Sequence, residues 1–233
     1  METAQAVQDK NHGKQPSNTN SAAGAPITLG QAQSVISQGP LGRRITWVQK
    51  YPLDYLSSLK NESHIFDVAV FCHSLWYFES KSRIVDTFRA LKQHCMRLQI
   101  AEWSLVASDH SAQPHVLAAV AQAALECRKP ETISNIRIVL SPNRLIVLAY
   151  KAGWQLQDGQ VLLECDVGLK DGEWEVSRCL STSFEKEVVE YIREEEERAA
   201  VLAARDACEM SAKGVQNTQK KVKAMDVWVA SFV

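Results

Sequence analysis

Apolar residues crowd almost without interruption into Phe66-Asp-Val-Ala-Val-Phe-Cys72, a density that predicts a strand covered on both faces. A loop over 73–79 follows. Ser80 is then placed to cap a helix in which Ile84, Phe88 and Leu91 recur at helical spacing, with Asp86, Arg89 and Lys92 elsewhere on its surface. Met96-Arg-Leu-Gln-Ile-Ala101 predicts a second strand. Strand, helix and strand within about forty residues make a βαβ crossover, whose two strands are parallel neighbours.

The pattern on either side completes an α/β chain. Thr28 to Ser37 predicts a short helix with Leu29, Ala32, Val35 and Ile36 on one face, and Arg44 to Val48 a short strand. Pro114 to Cys127 is apolar on nearly all sides, as in a buried helix, and Ser141-Pro142 opens another that runs to Gly153. Gln160 to Glu164 and Trp174 to Val176 are expected as strands around a turn at Lys170-Asp-Gly172. Residues 184–210 are expected as one charged helix, with Glu190/Arg193 and Glu194/Arg198 pairs. Asp226 to Val233 closes the chain as a strand. The expected sheet is mostly parallel with antiparallel closing strands. Residues 1–24, rich in Asn, Gln, Ser, Gly and Ala, are expected to form a disordered leader to a domain over 25–233.

Composition narrows the function. The 233 residues carry a net charge of −1, which supplies no electrostatic reason to bind nucleic acid or an anionic membrane. No stretch reaches the ~20 apolar residues of a membrane span, and the polar amino terminus lacks the apolar core of a signal peptide, so a cytoplasmic location is expected. The six cysteines have no Cys-x-x-Cys spacing, which argues for free thiols rather than a metal site.

Ligands of open α/β sheets bind at the carboxyl ends of the strands. Two such ends deliver Cys72-His-Ser-Leu-Trp-Tyr-Phe78 and Glu102-Trp-Ser104. His73 is either a site residue or a satisfied strand end. Trp76, Tyr77 and Trp103 are either site walls or core rings. Glu102 sits at the mouth of the sheet or is paired. The run Glu194 to Glu197 is a solvated helix face.

Phe66 to Phe78 resembles the fourth-strand motif of class I S-adenosylmethionine-dependent methyltransferases, and Arg97-Leu-Gln-Ile-Ala-Glu-Trp103 is similar to their fifth strand. Leu169-Lys-Asp-Gly-Glu-Trp-Glu-Val176, Asp226-Val-Trp-Val-Ala230 and Gly24 to Gln33 resemble segments of a fungal group that acts on small molecules. The resemblance implies a partial doubly wound, Rossmann-like sheet, S-adenosylmethionine as cofactor, and methyl transfer to a nitrogen or oxygen of a small molecule in secondary metabolism, mycotoxins included. It implies that Cys72 and His73 line the cofactor cleft and that Trp76, Tyr77 and Trp103 wall the acceptor site. His73 or Glu102 is then the base. The chain departs from the family in having no Gly-x-Gly turn. It therefore reads as a truncated methyltransferase domain in which two strands are missing between the one at Arg44 and the one at Phe66. The strand at Arg44 must pair directly with Phe66–Cys72, find a partner or stay loose. The alternative function is a non-catalytic remnant, or a partner subunit that completes a sheet.

Overall fold

The structure, a computed structural model, describes residues 4–7, 27–59, 66–130, 132, 134, 136–166 and 168–233. It divides into two units, Met1–Glu62 and Ser63–Val233, a boundary later in the chain than the composition break at residue 24.

In the first unit, strand β1 (Ala4–Val7) precedes helix α1 (Leu29–Gln38), strand β2 (Ile45–Val48) and helix α2 (Pro52–Ser58). Thr28 and Gln31 form a reciprocal capping box: the Thr28 hydroxyl accepts from the Gln31 N–H at 3.3 Å, and the Gln31 side-chain oxygen accepts from the Thr28 N–H at 2.7 Å. The expected helix is therefore present with Thr28 as its cap, but Leu29, Val35 and Ile36 are exposed. The partner of β2 was not foreseen. It is β1, drawn from the leader and paired in parallel with Ala4 opposite Ile45. The other residues of the leader lie outside the described residues.

The second unit runs β3 (Phe66–Cys72), α3 (Lys81–His94), β4 (Cys95–Trp103), α4 (Gln113–Glu126), α5 (Pro142–Lys151), β5 (Val161–Leu163), α6 (Asp171–Cys179), α7 (Thr182–Tyr191), α8 (Glu195–Asn217) and β6 (Val227–Phe232). Its sheet has the order β3-β4-β6-β5. β3 and β4 are parallel, joined through α3 as the spacing requires, and β6 runs antiparallel to both β4 and β5. Ser80 caps α3 by accepting from the Arg83 N–H at 3.3 Å.

Three expectations are corrected. β3 is not covered on both faces: Phe71 packs against Phe88 and Phe78, but Val68 and Val70 on the other face are exposed, Val70 at 60%. The strand sits at the sheet edge, so a central-strand composition meets a one-sided environment. Trp174 to Val176 belongs to a helix, α6, whose first turn holds Asp171 and Glu173, both favourable to the helix dipole. Gly172 is needed there, because a Cβ would come within 2.2 Å of the Lys223 carbonyl oxygen. The charged segment is two helices, α7 and α8. Ile192 between them is extended and buried, and the Arg198 guanidinium donates to its carbonyl at 3.3 Å rather than forming the expected pair with Glu194.

Helices α3 and α5 lie together on one side of the sheet, around the fully buried Trp154. Its indole N–H donates to the Phe88 carbonyl at 2.8 Å, and the Lys92 ammonium sits 4.5 Å from the ring centroid. The core of α4, α6, α7 and α8 is built from Ala121, Leu125, Phe184, Val188, Ile192 and Val201. Removing the largest buried side chain should test the sheet layer. Trp154→Ala is expected to cost about 3–5 kcal/mol in urea unfolding, and Trp154→Phe distinctly less because it keeps most of the buried ring.

Candidate functional site

The carboxyl ends of β3 and β4 meet beneath the first turns of α4 and carry the residues that sequence reasoning singled out. Directly after Cys72 the chain reverses at His73, whose φ of 46° lies in the left-handed region. Leu105, two residues beyond β4, has φ 61°. Non-glycine residues held there store backbone strain, and such strain concentrates at functional edges.

Glu102 fixes this turn. Its carboxylate is 1% exposed and accepts from the Leu75 N–H at 2.8 Å and from the Trp103 N–H at 3.0 Å. The His73 Nδ1 is 3.7 Å from Glu102 Oε1, near enough for charge to be felt and too far for a hydrogen bond, and it has no other protein partner. The His73 N–H donates to the Ala101 carbonyl, tying the turn to β4, and the imidazole lies 4.1 Å from the Trp103 ring centroid. His73 keeps about a third of its side chain in solvent. Of the two expected acid–base residues, only His73 is therefore partly exposed, while Glu102 is buried.

The three aromatic rings separate. Trp76 is buried, with its indole N–H toward the Leu140 carbonyl at 3.4 Å, and its own carbonyl accepts from Arg137 and Ile138. Trp103 joins it in a cluster with Ala119, Ile136, Cys165 and Met225. Both rings support the site from the core side. Tyr77 alone is open, at 43% exposure. Cys72 is exposed at the end of the edge strand.

Two residues escaped the sequence reading. His115 on α4 lies edge-on to Trp103 at 5.1 Å, and its Nδ1 accepts from the Met225 N–H at 2.9 Å. Burial, with the charge of nearby His73, pushes its pKa down to about 3. Glu175 on α6 accepts from the Gln122 amide at 2.7 Å. Burial pushes its carboxyl above the ordinary range, opposed by the Gln122 hydrogen bond and reinforced by the charge of Asp171. Glu175, Glu102 and Asp171 act in turn on the Tyr77 phenol, whose pKa is raised, first by burial. The helical first turn around Asp171 was the available signal for Glu175. Nothing in the local pattern marks His115. Among the described residues there is no cluster of histidine, cysteine and carboxylate groups suited to a metal ion. An open hollow lined by Leu156, Gln157, Asp158 and Val233 sits where β6 ends, beside the amino-terminal half of β4, away from this chemistry.

No protein-family model matches the chain. It is 25% identical over 242 residues to Methyltransferase phomM' of Diaporthe leptostromiformis and 26% identical over 244 residues to Methyltransferase phomM of the same fungus. The chain is similar to these two fungal methyltransferases. Each alignment covers 90% of the chain but only 62% of the relative, so the chain spans less than two thirds of the curated proteins it matches. The crystal structure of a cyclopropane-fatty-acyl-phospholipid synthase-like protein from Lactobacillus casei ATCC 334 superimposes with a TM-score of 0.69 at 25% identity, covering 90% of this chain and 70% of that one. The chain thus has the mixed α/β, Rossmann-like fold that the resemblance of its fourth- and fifth-strand motifs implied.

Two measurements test the site's construction. Glu102→Ala leaves two buried N–H donors without partners and is expected to lower stability by about 1–3 kcal/mol for each. Glu102→Gln, which keeps an acceptor oxygen, should lose less. The second concerns His115. Its folded-state pKa is depressed, whereas in the unfolded chain it takes a proton near the ordinary value of ~6.5. Its neutral burial therefore stabilises the fold fully above ~6.5 and loses that contribution toward pH ~3, at up to about 1.4 kcal/mol per pH unit. Unfolding curves between pH 4 and 7 should be distinctly flatter for His115→Gln.

Proposed function

We propose that this chain serves S-adenosylmethionine-dependent methyl transfer to a nitrogen or oxygen of a small molecule in fungal secondary metabolism, mycotoxin pathways included. The observation that carries the reading is the one-third exposed His73, its Nδ1 unpartnered and 3.7 Å from the buried Glu102 carboxylate, at the carboxyl ends of two parallel strands in a methyltransferase-like sheet. A cytoplasmic setting suits it, and among the described residues no helix is long and apolar enough to cross a membrane.

The residues present fit one wall of a cofactor cleft. Cys72 and His73 stand at the open end of β3, and the Trp103 ring backs the imidazole. Cys72 is suited to packing rather than attack, since burial and the Glu102 charge raise its thiol pKa and keep it protonated. When bound, S-adenosylmethionine supplies an electrophilic methyl group on a sulfonium. The chain's own residues then position the acceptor and take its proton. His73 is the base, because it is the reachable imidazole, and Glu102 holds the turn that presents it. Tyr77 offers the open aromatic face against which an acceptor packs, while Trp76 and Trp103 hold the loop that presents it. Glu175 is a second proton acceptor on the acceptor side.

A second reading follows from the edge position of β3. Among the described residues of this unit no strand pairs with its outer edge, and its exposed Val68 and Val70 suit a further polypeptide, another copy or a partner, that completes the sheet. Calorimetric titration of the purified chain with S-adenosylhomocysteine separates the two. Without a glycine-rich turn, binding is expected to be weaker than at an intact site by about two to four powers of ten, and still weaker in His73→Ala. Complete absence of binding into the millimolar range would leave the partner reading.

A further inference from the structure

Where the chain leaves β4, its ladder with β6 does not simply end. The Ser104 N–H donates to the Asp226 carbonyl at 2.9 Å, one step beyond the pairing of Trp103 with Val227. A regular ladder would return the Asp226 N–H to the Ser104 carbonyl. It goes instead to the Val106 carbonyl at 3.0 Å, so Leu105 and Val106 are taken up as a β-bulge, with Leu105 at φ 61°. The Asp226 side chain then closes the loop. Its Oδ2 accepts from the Ser108 N–H at 3.1 Å and from the Ser108 hydroxyl at 2.6 Å. Asp226 is 1% exposed, and its other oxygen, Oδ1, has no protein partner. Burying an acid with one oxygen unpaired is a costly way to hold a serine, and a group left so in a folded protein points to a role beyond the fold.

The loop held in this way begins directly after Trp103, whose ring centroid lies 4.1 Å from that of the His73 imidazole. Leu105 packs on the cluster that contains Trp76 and Trp103. A bulge re-aims the side chains beside it, and a leucine in the left-handed region stays there only while its surroundings hold it. We propose that Asp226 is a positioning residue of the candidate site: it clamps the Ser104–Ser108 loop so that Leu105 stays packed and the Trp103 ring is kept against His73. The proposal rests on the reading of His73 as the base of methyl transfer. Released from Asp226, Leu105 relaxes out of its strained conformation, the packing on Trp103 loosens, and the imidazole loses the ring that backs it. The main chain of Trp103 stays fixed by its pairing with Val227 and its bond to Glu102, so Asp226 governs the setting of the ring and not the strand.

Imidazole protons beside an indole are displaced by its ring current, so NMR of the intact chain carrying isotope-labelled histidine reads the contact directly. The His73 signals, assigned by their loss in His73→Gln, should be displaced in the wild-type chain. In Asp226→Ala they should return toward their ordinary positions, while those of His94 on α3 stay in place. Asp226→Asn keeps an oxygen that accepts from Ser108 and should restore most of the displacement. Ser108→Ala removes only the hydroxyl donor and should move His73 part of the way, which decides the matter if Asp226→Ala does not fold. A merely structural Asp226 would lower the melting temperature and leave the His73 signals of the folded protein unmoved. That result in Asp226→Ala, or in Ser108→Ala where the alanine variant of Asp226 does not fold, overturns the proposal. Calorimetry with S-adenosylhomocysteine on the same proteins tests the assignment of His73 separately. Several-fold weaker binding by Asp226→Ala supports the clamp, and equal binding counts against it. No binding by the wild-type chain removes the assignment of His73 as base, while the NMR result still decides whether Asp226 sets the ring.

Discussion

A carboxylate reaching up from the floor of the sheet determines where the chain goes after β3, and much of the second unit follows from it. With the Leu75 N–H held by Glu102, residues Leu75 to Tyr77 close into one tight turn and Trp76 swings inward. The Trp76 carbonyl then receives the N–H groups of Arg137 and Ile138, and its indole faces the Leu140 carbonyl. The strand end thereby anchors the segment leading into α5, far along the sequence. A buried carboxylate without such donors would be prohibitively costly, so the anchor and the turn require each other.

The helical layer depends on a comparable constraint. The nearly buried Lys129 ammonium is shared between Glu126 of α4 and Glu187 of α7, and Glu187 is also held by Arg178 of α6 in a forked contact at 2.7 and 2.8 Å. Thr132 donates to the second oxygen of Glu126. These charges are tolerated only because each is paired, and the network sets how α4, α6 and α7 meet. That placement brings Glu175 toward Tyr77 and seats His115 under Trp103. The site therefore draws on two layers: the sheet supplies the strained turn at His73, and the helices supply its neutral imidazole neighbour and the second carboxylate.

What could be read beforehand was whatever depends on near neighbours in sequence. The helical stretch from Thr28, the cap at Ser80, the 3.6-residue recurrence of Ile84, Phe88 and Leu91, and the apolar runs at Phe66 and Met96 are local statements, and all of them became elements at the expected places. Local signals were weakest where a long-range contact overrode them. Trp174 to Val176 looks like a strand on its own, but it turns helical where Gly172 meets the Lys223 backbone. The break at Ile192 carries no proline or glycine. It exists because Ile192 is taken into the core and Arg198 returns to bond its carbonyl.

The same division holds for the candidate site. The sequence alone determined the α/β class, the parallel crossover and the neighbourhood of the chemistry, because residues at the ends of adjacent parallel strands must be close whatever else the chain does. Only the tertiary structure decided which of them are buried and which are open. Burial separated Trp76 and Trp103, which support, from Tyr77, which is open, and it set Glu102 behind His73 rather than beside it. It also brought in His115 and Glu175 from helices distant in the chain. Exposure and electrostatic environment are properties of what packs against a residue, and those neighbours come from elsewhere in the sequence.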